Sequence, residues 1–136
     1  MQHSWREIVF MLLFFAFLVL AVSFHLAVWA PADFPPERVW HVPGGDPVEG
    51  QLAIVRHGCG GCHVIPGIRQ ATGRVGPRLN DLRNQVYLAG VLPNTPENLV
   101  LWIQHPEEVN PRTAMPDLDL TEEEARDIAA YLYRMR

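Results

Sequence analysis

Lysine is absent from this chain: all eleven basic residues are arginine. That removes lysine from any catalytic or docking role. Cysteine is scarce, with only Cys59 and Cys62 present. A structural zinc site built from two paired hooks has just one hook here. The formal net charge of −4 gives no ground for a nucleic-acid partner. No stretch alternates as a strand, and no internal repeat is visible.

One long apolar run is present. Residues 8–30, IVFMLLFFAFLVLAVSFHLAVWA, carry no formal charge, and only Ser23 and His25 are polar. As a helix this run spans roughly 34 Å, enough for a bilayer core of about 30 Å. Trp5 and Trp29 stand at its two ends, where indole rings favour the membrane interface. A cleaved signal peptide is the competing reading, with residues 28–30 as its small-residue site. The run exceeds the roughly 7–15 residues of a signal core, so residues 1–30 read as a retained anchor in contact with lipid. Arg6 before the span leans toward an inner N-terminus. His25 lies near the outer end, placed for the interface or for a neighbouring subunit's helix.

Residues 31–45, rich in proline and glycine, read as an extended tether. Residues 46–136 read as one small helical domain. Asp46-Pro47-Val48-Glu49 signals a helix start, with the helix running to Gly58. Thr95-Pro96 starts a second helix, which Pro106 stops. Thr121 through Glu124 is a capping box, and Ala125, Ile128, Ala129 and Leu132 then share one helical stripe. A weaker short helix is expected over residues 82–88. The loop at 64–80 scatters aliphatic residues without helical spacing, so they need something apolar to lie against. A domain of this size usually needs a staple.

The stretch CGGCH, residues 59–63, offers one. Zinc, a redox dithiol and covalent haem compete for it. Zinc lacks a second hook, and adjacent Cys62 and His63 are strained as ligands of one ion. A dithiol of the thioredoxin type wants a helix N-terminus beneath its first cysteine, whereas these cysteines follow a helix. In the haem reading, Cys59 and Cys62 form thioethers to the two vinyl groups of one porphyrin, and His63 ligates the iron. A second axial ligand is then required. Met115 and Met135 are the methionine candidates, and His105 and His41 are rivals. Met115 is favoured because its proline-flanked loop can present a thioether, a ligand that raises the potential.

HGCGGCHVIPG, then VGPRL, then the stretch from LPNTPENLVLWI to TAMPDLDL, resembles class I cytochrome c in motif and order across residues 46–135. The resemblance implies an all-α domain, after a single membrane helix, wrapped around one covalent haem c. It implies Met115 as second ligand, Pro77 offering its carbonyl to His63, and Leu79 packing on the haem face. Trp102 would lie near the methionine sulfur, and Thr113 would hydrogen-bond near a propionate or that sulfur. NTPENLVLWI with Thr-Ala-Met-Pro is similar to the cytochrome c domain fused to subunit II of some haem–copper oxidases. This chain has no second cysteine cluster for a dinuclear copper site, so it reads as a separate tethered cytochrome.

The expected function is single-electron transfer with protein redox partners, as a subunit of or donor to a terminal oxidase, and with no small-molecule substrate. The alternatives are a haem sensor or catalyst with a labile sixth ligand, or a subunit of another membrane oxidoreductase. Such haem attachment resembles that done outside the bacterial cytoplasmic membrane, which places the domain in the periplasm. Residues 56–83 hold five arginines and one aspartate, while residues 107–127 hold eight acids and two arginines. The expectation is a basic proximal flank and an acidic distal flank that steer docking; solvated helix-end charges are the plainer reading.

Overall fold

A computed structural model describes residues 4–29 and 40–135. The chain divides into two compact units, Met1–Arg38 and Val39–Arg136. In the first unit, helix α1 (Trp5–Trp29) is long and apolar enough to cross a membrane. Its large side chains from Ile8 to Leu26 are exposed. Of the tether expected at 31–45, residues 31–39 lie outside the described residues, as does the side chain of Trp29.

The second unit is helical, with one small antiparallel ribbon. Helix α2 (Pro47–Arg56) begins where Asp46 accepts the Val48 amide at 2.7 Å, and Pro47 occupies the first turn. Helix α3 (Pro96–Gln104) is capped by Thr95 in the same manner. A one-turn helix α4 (Pro106–Val109) follows directly. Helix α5 (Glu122–Arg134) opens on the full capping box of Thr121 and Glu124.

The expected helix over 82–88 is corrected. Leu82–Asn84 forms only a 3-10 turn, and Tyr87–Leu88 pairs with Leu92–Pro93 as strands β1 and β2. The helical run stops inside the segment at Gln85, whose backbone is extended with φ of −76° and ψ of 143°, while the positive φ of Asp81, Ala89 and Gly90 turns the chain on either side.

The main packing is α2 against α5, with α3 on α5 beside it. Gly50 makes the first crossing possible: a Cβ there would lie 2.0 Å from the Asp127 carbonyl oxygen. Gly50→Ala is therefore expected to force the helices apart, costing about 1–3 kcal/mol. Its thermal midpoint should fall by roughly 5–20 °C in a melting experiment. Residues 40–45 also lie on this unit: Val42 is buried, and Trp40 packs against the core. Asp127, itself buried, accepts the Asp46 amide at 2.7 Å and so ties the start of α2 to α5.

Candidate functional site

Helix α2 ends at His57, and Gly58 turns left-handed with φ of 71°. That reversal feeds a 3-10 turn at Cys59–Gly61. The amides of Cys62 and His63 both donate to the Cys59 carbonyl, at 3.2 and 3.0 Å. One turn thus presents Cys59, Cys62 and His63 to the same cavity. Both thiols are half-buried and unpaired by any disulfide.

The loop after the turn folds back over it. Gly73 donates to Gly60, and Val75 and Gly76 both donate to Cys62. Leu79 donates to Val64, and the Tyr131 hydroxyl on α5 donates to the Pro66 carbonyl at 2.7 Å. The aliphatic residues of this loop find their apolar surface: Ile65 and Ile68 are buried, and Ile65, Val75 and Leu79 line the cavity. Gly76 lies flat against the His63 ring, where a Cβ would come within 2.3 Å of the imidazole. The next residue, Pro77, places its carbonyl 2.7 Å from His63 Nδ1. A carbonyl only accepts, so Nδ1 carries the proton and Nε2 is the ring nitrogen left to meet a ligand. Gly76 escaped the sequence reading; only its place beside Pro77 could have suggested it.

Another part of the cavity lining is a loop built from turns. The Asn110 amide donates to the Pro106 carbonyl at 2.9 Å, and Pro106 is fully buried. Asn110 then accepts twice: Oδ1 from the Arg112 amide at 3.1 Å, and its carbonyl from Thr113 at 2.9 Å. Thr113 Oγ1 accepts the Met115 amide at 3.1 Å. Thr113 therefore shapes the backbone that carries the methionine. Met115, Trp102 and Thr113 all line the cavity, as does Asn110, which the sequence had not marked. Of the four candidates for a second axial ligand, only Met115 does so. The sulfur of Met135 lies near Gly67, and His105 faces Asp117 at 3.5 Å.

The cavity holds about 360 Å³ and is lined mainly by aliphatic side chains of α2, α3, α5 and the loops, among them Ile54, Leu82, Leu99, Ile103 and Leu132. Its chemistry tests the three uses of CGGCH. Among the described residues no group of three or more His, Cys, Asp and Glu side chains is placed to hold a metal ion, against zinc. Burial pushes the Cys59 thiol pKa up, and nearby Cys62 adds to the rise. A redox dithiol needs a stabilised thiolate, and this site disfavours one. A porphyrin suits what is present: an apolar slot, two thiols on one turn, and an imidazole locked in one tautomer.

Charge near the site is less segregated than the sequence suggests. Glu124 of the acidic stretch accepts from Arg56 at 2.9 Å and from His57 at 3.0 Å, and Glu122 pairs with Arg126. The His57 bond, then Thr121, holds the Glu124 carboxyl down at about 2. A depressed folded pKa contributes stability above the unfolded value, lost as pH falls through the folded one. Wild-type thermal midpoints should thus drop between about pH 4.5 and 2, and Glu124→Gln should flatten that part of the curve.

The cytochrome c family model matches residues 48–136. A cytochrome c oxidase subunit 2 from Alkalihalophilus pseudofirmus is 30% identical over 89 residues, covering 65% of this chain and 25% of that protein. Another, from Bacillus sp. strain PS3, is 35% identical over 97 residues, covering 67% of this chain and 27% of its own length. The chain spans about a quarter of the length of these curated relatives. With the family model covering the whole helical unit beyond its first residues, this chain belongs to the cytochrome c family, an electron-transfer protein whose cofactor is covalent haem c and whose CXXC pair is Cys59 and Cys62.

Proposed function

We propose that this chain is a membrane-tethered carrier of single electrons, serving a terminal haem–copper oxidase with its haem domain in the periplasm. In this reading His63 and Met115 would hold the haem iron. The observation that carries it is the single cavity shared by Cys59, Cys62, His63 and Met115. Haem iron supplies one site that holds either of two charges, ferric or ferrous.

The residues do the rest. Cys59 and Cys62 would hold the cofactor on the 59–62 turn through thioethers to its two vinyl groups. Pro77 accepts the Nδ1 proton of His63, which orients the ring and makes Nε2 a stronger donor. Gly76 leaves the room that this ring needs. The Asn110 and Thr113 turns hold Met115 toward the cavity, and its thioether favours the ferrous state. The aliphatic lining keeps water out, which also tunes the potential. Leu79 and Trp102 are packing partners of the cofactor in the same reading.

Helix α1 supports the tether, and the two oxidase subunit 2 relatives support the partner. Co-purification with oxidase subunits from native membranes in mild detergent tests that association. Isolation alone, with no oxidase subunit, would argue for a carrier that serves another complex. The sixth position is tested separately. Reduced native protein is expected to resist carbon monoxide, because Met115 holds the site. Rapid binding would instead favour a ligand-sensing haem.

A further inference from the structure

Asn94 is a polar residue with 4% exposure, between β2 and α3. Its side-chain nitrogen donates to the carbonyls of Leu82, at 2.7 Å, and Gln85, at 2.8 Å. Both partners are carbonyls, so the NH2 group must face them. Its oxygen then accepts from the Tyr133 hydroxyl at 2.6 Å. Its backbone N–H donates to Val86 at 3.0 Å. One side chain thus ties the 82–85 turn to helix α5. Leu82 and Gln85 belong to the wall of the haem cavity. Tyr133 is itself 1% exposed, and its ring lies against Trp40 with centroids 4.7 Å apart. Trp40 is the first described residue of this unit.

We infer that Asn94, Tyr133 and Trp40 form a positioning cluster that sets the haem wall from the end of the tether: Trp40 seats Tyr133, Tyr133 orients Asn94, and Asn94 holds residues 82–85 against the cavity. The inference rests on the cavity being the haem site. A buried polar network that is fully satisfied specifies one arrangement, and removing one member leaves another unpaired. A wall released from Asn94 admits water, and a wetter cavity favours the ferric charge and lowers the potential. Nothing in the local sequence marks these three residues as neighbours.

Tyr133→Phe tests this in the full-length, haem-loaded protein in detergent, since it removes only a hydroxyl. Two readouts are needed: amide hydrogen exchange and the midpoint potential. The expected result is about tenfold faster exchange at Gln85 and Asn94, unchanged exchange in α2, and a lower potential with the absorption spectrum of methionine ligation kept. Asn94→Ala should give the same changes, and the double variant no more than the larger single one. Trp40→Leu should give a smaller change of the same sign. The proposal fails if Tyr133→Phe leaves both readouts at wild-type values, if exchange rises uniformly across the domain, or if the two single effects simply add. Should Asn94→Ala not fold, Tyr133→Phe decides alone. Haem staining of the wild type on a denaturing gel scores the cofactor reading separately, while exchange at residues 85 and 94 still scores the cluster.

Discussion

Met115→Ala is expected to keep its haem and lose its identity as a carrier. Attachment depends on Cys59 and Cys62, which this substitution leaves in place, so the haem stain should stay at wild-type intensity. The cavity, however, loses the one thioether that lines it, which the proposed function makes the second iron ligand. Three changes should follow. Reduced protein should bind carbon monoxide rapidly, where the wild type is expected to resist it. The midpoint potential should fall by something on the order of 0.1 V, well inside the roughly 0.8 V that axial ligation spans. The absorption signature of methionine ligation should vanish. His105 cannot simply replace it, since it faces Asp117 and stands outside the cavity lining. A Met115→Ala protein that still excludes carbon monoxide and keeps its potential would remove Met115 from the ligand set.

The larger structural effect is expected from the double variant Cys59→Ala, Cys62→Ala. Without thioethers no haem stain should survive denaturing electrophoresis. The fold should suffer as well, because the cavity lies within the core and shares Ile54, Leu82, Leu99, Ile103, Ile128 and Leu132 with it. Without the cofactor these core side chains would face water or collapse on one another, and small domains have only about 5–15 kcal/mol of stability to lose. The haem-free variant should therefore show no cooperative thermal transition by circular dichroism. A sharp melt near the wild-type midpoint would mean that the protein core closes without its cofactor.

These effects explain why so much of the molecule was legible in advance. Helix starts are local: Asp46, Thr95 and Thr121 cap the amides that follow them, so α2, α3 and α5 could be read from three short patterns. The CGGCH turn is local too, since five consecutive residues carry both thiols and the imidazole. The Met115 loop announced itself by its flanking prolines. Residues 82–88 differ from the expected helix because Gln85 takes an extended backbone and Tyr87–Leu88 pair as a strand, between positive-φ turns at Asp81 and at Ala89 and Gly90. Those conformations come from the pairing of β1 with β2 and from Asn94 behind the turn, which are contacts between separated residues.

By itself, the sequence determined which side chains would be candidates for one site: two thiols, one imidazole and a thioether, which line one cavity in a chain with an apolar leading helix. Those are properties of residue type and short spacing, which a linear pattern can hold. Only the tertiary structure decided how tightly they are held. It put Gly76 against the His63 ring, Asp127 on the first amide before α2, and Asn94 between α5 and the cavity wall. Each of those choices joins residues far apart in the chain. Their physical cause is steric closeness and buried hydrogen bonding, which exist only once the helices have crossed.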